Sequence, residues 1–173
     1  KKGYDVLVMN SLIDSHFITT LERKWEKASF KRVDSESIDK LIEKDEASVS
    51  TLNEDQEKEI VEVYKEVAGE QDVVRAEALG QEELPVVIIR PEFFRRMREQ
   101  AMLSGMNNEF GDQINVLVNT SHPLAEGVLN KEGDERKELA SQLIALAKLS
   151  QGLLTGAALS DFVEKSVEMI SRD

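Results

Sequence analysis

The sequence of 173 residues has no cysteine, only three prolines and 5% aromatic residues. Without cysteine a disulfide framework is impossible, and the chain is long enough to fold around an ordinary hydrophobic core. The absence of cysteine also fits a reducing compartment, so we expect a cytoplasmic protein. The longest apolar runs, such as residues 85–89, are far shorter than the roughly 20 residues that a membrane-spanning helix requires.

Positive charge is also scarce, because 22 lysines and arginines face 34 aspartates and glutamates, which gives a net charge of -12. A field of this sign repels phosphate backbones and anionic lipid surfaces. We therefore expect neither nucleic acid nor a membrane as a partner.

Motifs for catalysis or metal binding are missing as well. The two histidines, His16 and His122, lie far apart, and neither has a nucleophile or a ligand at motif spacing. His122 precedes a proline, which is typical of a turn or a helix cap. We expect no catalytic residue, no metal site and no enzyme activity in this chain. A small acidic hydrolase would need a convergent polar pocket around His122.

The first 45 residues predict a partial α/β module, with a strand over 4–9, a helix over 14–25 and a second strand over 28–33. Because the chain opens inside a strand, we expect a fragment of a longer protein. A Ser, Asp, Glu and Lys-rich stretch follows, and we place the boundary there, with domains at 1–45 and 46–173.

The second domain begins with a predicted helix. Thr51 and Glu54 have the spacing of a capping box at its start, and Gly69 marks its end. Residues 72–79 and 84–90 then predict an antiparallel β-hairpin. A third strand is expected over 113–119. Ser121 and Pro123 resemble the N-cap region of a short helix that ends at Leu129, and the fold class is α+β with a three-stranded sheet.

Between the second and third strands, residues 91–105 predict an amphipathic helix. At about 100° per residue, four of its apolar residues share one arc and Met102 lies outside it. Such an arc is typical of simple packing, but methionines are also common on surfaces that bind varied partners. The arc contains Phe93, Phe94, Met97 and Ala101.

The remaining sequence predicts a helical stretch over 134–159 and a last helix over 160–170 that Ser160 caps. The apolar residues of the stretch 134–159 lie on several sides of the helix. This helix is therefore either central in one subunit's core or shared between two chains in a helical bundle. Size favours the shared bundle slightly. The residues concerned are Leu139, Leu143, Leu146, Ala147, Leu153, Leu154, Phe162, Val163, Val167 and Ile170.

The order of these elements resembles the heat-shock protein 90 chaperones, with the bacterial type as the nearest match. The segments "VLVMNSLID", "FKRVDSE", "INVLVNTSHPL" and "LTGAALSDF" carry the resemblance, and "LVNTSHPL" is the most specific. The resemblance covers the whole chain, as the end of a middle domain followed by a C-terminal dimerization domain.

The resemblance implies an ATP-dependent homodimeric stress-response chaperone that binds unfolded or partly folded client proteins. ATP and magnesium would bind in upstream domains of the parent, so no cofactor is expected in this chain. The resemblance also implies a dimeric four-helix bundle and a client-contacting amphipathic helix with Phe93, Phe94, Met97 and Met102. The missing acidic tail of eukaryotic members favours a bacterial origin. The alternative is a purely structural dimerization module.

Overall fold

The computed structural model describes residues 7–9, 14–25, 27, 30, 49–91 and 113–171. The described residues form five helices and three strands. In chain order they are α1 (Asp14–Lys24), α2 (Glu54–Val67), β1 (Val73–Glu77), β2 (Val86–Ile89), β3 (Asn115–Asn119), α3 (Pro123–Leu129), α4 (Gly133–Ser150) and α5 (Gly156–Ser171). The α+β class and the three-stranded sheet are confirmed.

The N-terminus of α2 is closed by a capping box, two residues later than predicted. Asn53 accepts hydrogen bonds from the N–H groups of Asp55 and Gln56, and the Gln56 side chain accepts from the Asn53 N–H. Thr51 lies outside the cap, and its N–H and its hydroxyl both donate to the carbonyl of Thr120, at 3.1 and 2.9 Å. The predicted Thr51 and Glu54 box is therefore wrong.

The sheet has the order β1, β3, β2, with β1 parallel and β2 antiparallel to β3. The predicted hairpin between the first two strands is wrong, because β3 lies between them. The burial pattern explains this order: β3 is buried from Val116 to Asn119, so it suits the centre of the sheet.

One hydrophobic core fills the space between the helices and one face of the sheet. It contains Ile60 and Tyr64 from α2, and burial raises the pKa of the Tyr64 hydroxyl above its ordinary value. The strands and the helices α3 and α4 contribute, among others, Val74, Val86, Ile88, Val116, Val118, Val128, Ala140, Leu143, Ile144 and Ala147.

Ion pairs join α2 to α4 outside the core. Arg136 donates to Glu59 at 2.7 Å and also to the carbonyl of Leu129, also at 2.7 Å, which closes the end of α3. Lys137 pairs with Glu66 at 2.7 Å, and this hydrogen bond raises the pKa of Lys137. The Lys137 and Glu66 side chains are both more than half exposed, so this pair adds little to stability.

The long apolar stretch after residue 133 is divided earlier than predicted. α4 ends at Ser150, and Gly152 takes a φ of 67° that an L-side chain rarely adopts. The N–H groups of Gly152 and Leu153 donate to the carbonyls of Leu149 and Lys148, which is a Schellman motif. Ser160 therefore lies inside α5, and its predicted role as a cap is wrong.

The helix predicted over 14–25 is confirmed by α1. Phe17 and Trp25 on this helix are 56% and 58% exposed. Leu7, Val8 and Met9 do not form part of a strand, and Leu7 and Val8 are 70% and 100% exposed. The described part of the chain gives them no strand to pair with. The greater part of the strands predicted over 4–9 and 28–33 lies outside the described residues.

No helix among the described residues is long and apolar enough to cross a membrane.

Candidate functional site

Helix α5 presents two adjoining apolar strips, and only one of them is covered. At about 100° per residue, the first strip contains Phe162 and Ser166. Gln142 of α4 donates to the Ser166 hydroxyl at 3.4 Å, so this strip faces α4. Its members, Leu159, Phe162, Ser166 and Met169, are half-buried.

The second strip of α5 consists of Val163, Val167 and Ile170, which we call the α5 stripe. These side chains are 51%, 61% and 77% exposed, and no residue of the 16-residue helix is buried. Glu164, Lys165 and Glu168 occupy the opposite side of the helix at the same angular spacing. A helix with an unburied apolar strip contributes little to the fold of a single chain.

The ten residues predicted for the dimer interface fall into three groups, which are core, half-buried and exposed. Leu143 and Ala147 are 6% and 3% exposed and belong to the core of the same chain. Leu139 and Leu153 pack partly against that core. Leu154 and Phe162 are half-buried, and the exposed members are Leu146 and the α5 stripe.

The predicted client-binding residues Phe93, Phe94, Met97, Ala101 and Met102 lie outside the described residues. The strands on either side of them are described, however. Ile89 at the end of β2 pairs with Asn115 at the start of β3. The segment between these strands therefore leaves and rejoins the sheet at neighbouring positions.

Asn119 is not among the predicted site residues, and it anchors the loop between β1 and β2. Its side chain is fully buried. The amide oxygen accepts from the N–H groups of Leu79 and Ser121, both at 3.1 Å. The amide nitrogen donates to the carbonyls of Gly80 and Leu84, at 2.8 and 3.3 Å. The position of Asn119 at the end of a strand and before a helix start was the only signal in the sequence.

The residues after Asn119 explain the rest of the "NTSHP" motif. The Ser121 hydroxyl donates to the Val49 carbonyl at 2.9 Å, which ties the segment before α2 to the end of β3. His122 is the N-cap of α3, and its Nδ1 accepts from the Leu124 N–H at 3.1 Å. The predicted capping role of His122 is confirmed, although Ser121 is not the cap.

Charged groups converge at the opposite end of β3. Asp72, whose side chain is 10% exposed, accepts from the N–H groups of Gly69 at 3.0 Å and Ile114 at 3.4 Å. A Cβ on Gly69 would lie 2.9 Å from the Asp72 Oδ2, so a side chain at position 69 would displace the carboxylate from its present position. The Lys148 Nζ lies 4.0 Å from the same oxygen.

Asp72, Ile114 and Lys148 line a cavity of about 150 Å³ together with Arg90 and Leu153. In the described part of the chain, the cavity included, no group of three or more His, Asp or Glu side chains is arranged to hold a metal ion. The candidate functional site is therefore the α5 stripe, with the cavity as a second feature.

Comparison with known proteins identifies relatives along the chain. It is 29% identical to the chaperone protein HtpG of Porphyromonas gingivalis over 98% of this chain and 35% of that protein. It is 37% identical to HtpG of Bacteroides thetaiotaomicron over 76% of this chain and 20% of that protein. It is 34% identical to HtpG of Bacteroides fragilis over 82% of this chain and 21% of that protein.

No family model matches the chain. The chain spans between about a fifth and a third of the length of these curated relatives. The relatives are all chaperone proteins HtpG, and the predicted order of helices and strands along the chain is largely the observed one. The chain belongs to the heat-shock protein 90 family, in its bacterial HtpG branch, and matches part of such a chaperone.

Proposed function

We propose that this chain joins two copies of an ATP-dependent chaperone and presents a surface for unfolded or partly folded client proteins. The observation that carries the dimerization proposal is the α5 stripe. Val163, Val167 and Ile170 expose apolar surface along one side of a helix that buries no residue within its own chain. A second copy that packed its own α4 and α5 there would cover this surface.

A dimer of this kind is isologous, so each α5 stripe contacts the same elements of the other chain. Leu146 of α4 is 42% exposed and adds apolar surface to the same helix pair. Fully burying an exposed valine or isoleucine stabilises an assembly by about 1.5–3 kcal/mol. Three such side chains per chain offset a substantial part of the entropic cost of association.

Client binding is proposed for the segment that contains Phe93, Phe94, Met97, Ala101 and Met102. Its support is the apolar arc, the methionine content and the shared name of the relatives. We further propose the boundary between domains 1–45 and 46–173, a cytoplasmic location, and ATP and magnesium sites in other parts of the parent chaperone. The competing function is a structural dimerization module that does not contact clients.

The dimerization proposal is tested by replacing Val163, Val167 and Ile170 together with serine. Because the α5 stripe is exposed in one chain, this variant should keep its circular dichroism spectrum while its dimer affinity falls by about 100-fold or more. Leu84→Ser is the matched control, since Leu84 is 47% exposed and lies in the loop before β2. Sedimentation of the unchanged chain as a monomer at tens of micromolar would refute the proposal.

The client-binding proposal is tested by replacing Phe93, Phe94 and Met97 with serine. If these side chains bind clients, stability should hardly change while binding of a reduced, carboxymethylated test protein falls. If they are packed in a core, the loss of each phenylalanine should cost about 3–5 kcal/mol. Hydrogen-exchange protection of residues 92–108 equal to that of 139–158 would support the purely structural module instead.

A further inference from the structure

The cavity beside Asp72 has a charge balance opposite to that of the whole chain. Its lining contains two cations, Arg90 and Lys148, and one anion, Asp72. The chain carries a net charge of -12, whereas the charged side chains that line this cavity have a net positive charge.

The single anion of the cavity is already engaged. The Asp72 carboxylate accepts two backbone N–H groups, from Gly69 and Ile114, and Lys148 lies at the limit of ion pairing at 4.0 Å. Arg90 forms no ion pair in the described part of the chain. A guanidinium has five N–H donors in a planar fork, which suits the two oxygens of a carboxylate.

We infer that this cavity binds the carboxylate of an acidic side chain from a bound polypeptide, with Arg90 and Lys148 as its ligands. A volume of about 150 Å³ corresponds to about five water molecules, which is enough for a carboxyl group and its attached methylene carbons. Ile114 and Leu153 supply apolar wall for those carbons. The negative charge of Asp72 in the same lining disfavours ligands with a second negative charge.

The position of the cavity connects it with the proposed client surface. Arg90 follows β2 and Ile114 precedes β3, so both ends of the segment 91–113 lie at the cavity. Lys148 and Leu153 come from the end of α4 and the turn before α5. The assignment of the carboxylate to a client polypeptide rests on the proposed function, whereas carboxylate binding itself does not.

The binding test uses N-acetylglutamate amide as the probe and N-acetylglutamine amide as its uncharged match. Titration into the ¹⁵N-labelled chain should shift the amide resonances of Gly69 and Ile114, which donate to Asp72, with the glutamate probe only. Arg90→Gln and Lys148→Gln should each weaken this binding by about tenfold or more. Arg75→Gln is the matched control, because Arg75 is an exposed cation on β1 that does not line the cavity.

Equal shifts with the two amides, or glutamate binding that survives in both variants, would overturn the inference. Inorganic phosphate that acts at lower concentration than the glutamate probe would also overturn the assignment to a carboxylate. Lys148→Arg retains the positive charge, so this variant should still bind the probe. Binding by Lys148→Arg but not by Lys148→Gln would show that the loss of charge, and not unfolding, abolishes binding. Dimer affinity should be the same in Arg90→Gln and the unchanged chain. A failure of carboxylate binding can therefore be distinguished from a failure of the proposed dimer.

Discussion

Replacing Asn119 with alanine should destabilise the domain more than most single substitutions in it. The side chain is fully buried and makes four hydrogen bonds to the backbone, two as acceptor and two as donor. An alanine leaves all four backbone partners without this amide. The loop between β1 and β2 then loses its attachment to the end of β3.

The magnitude follows from the burial of those partners. The N–H groups of Leu79 and Ser121 are in buried bonds, and an unsatisfied buried donor costs about 1–3 kcal/mol. The carbonyls of Gly80 and Leu84 are only part-buried and regain water more readily. With about 1 kcal/mol for the cavity that remains, we expect a loss of about 3–7 kcal/mol. A domain of this size has a total stability of about 5–15 kcal/mol.

Urea unfolding followed by far-UV circular dichroism measures this loss. At a typical slope of about 2 kcal/mol per molar, the midpoint should fall by about 1.5–3.5 M. Asn130→Ala is the matched control, because Asn130 is exposed at the end of α3 and should change stability by no more than about 0.5 kcal/mol. A loss below about 1 kcal/mol for Asn119→Ala would refute the anchoring role.

Three further predictions concern helix ends and pH. His122→Ala removes the cap of α3 and should cost about 1 kcal/mol in urea unfolding, whereas His122→Ser should retain most of the stability. Gly152→Ala places a Cβ at a φ of 67° and should cost about 1–2 kcal/mol, measured in the same way. Burial raises the pKa of Tyr64 in the folded chain, so the unfolded chain releases this proton first. Stability should therefore be retained below about pH 10 and fall by up to about 1.4 kcal/mol per pH unit above it, with a shallower fall in Tyr64→Phe.

Local patterns predicted the elements well but not their partners. The helices α1 and α3 and all three strands follow from apolar spacing and cap residues in short windows of sequence. The strand order does not, because β1 pairs with residues about forty positions later, from Val73 with Asn115 onward. The Thr51 box was wrong for the same reason, since Thr120 is its distant partner.

The candidate site was likewise predicted only in part from local patterns. The sequence predicted an apolar surplus in the C-terminal helices, but periodicity assigned Leu143 and Val163 to one set. Only packing against the sheet separates Leu143, which is 6% exposed, from Val163, which is 51% exposed. The cavity was not predicted, because Asp72, Arg90 and Lys148 are distant in sequence and no motif joins them.

The pairing of Ile89 with Asn115 has a consequence for how this family can vary. The strands on either side of the segment 91–113 are paired at this rung of the β-ladder, so the sheet holds the two ends of the segment close together. The entropic cost of closure grows only with the logarithm of loop length, by about 0.6 kcal/mol for each doubling. Segments of quite different length and sequence can therefore be exchanged at this point while the sheet beneath them stays folded, so the proposed client surface can diverge faster than the domain that carries it.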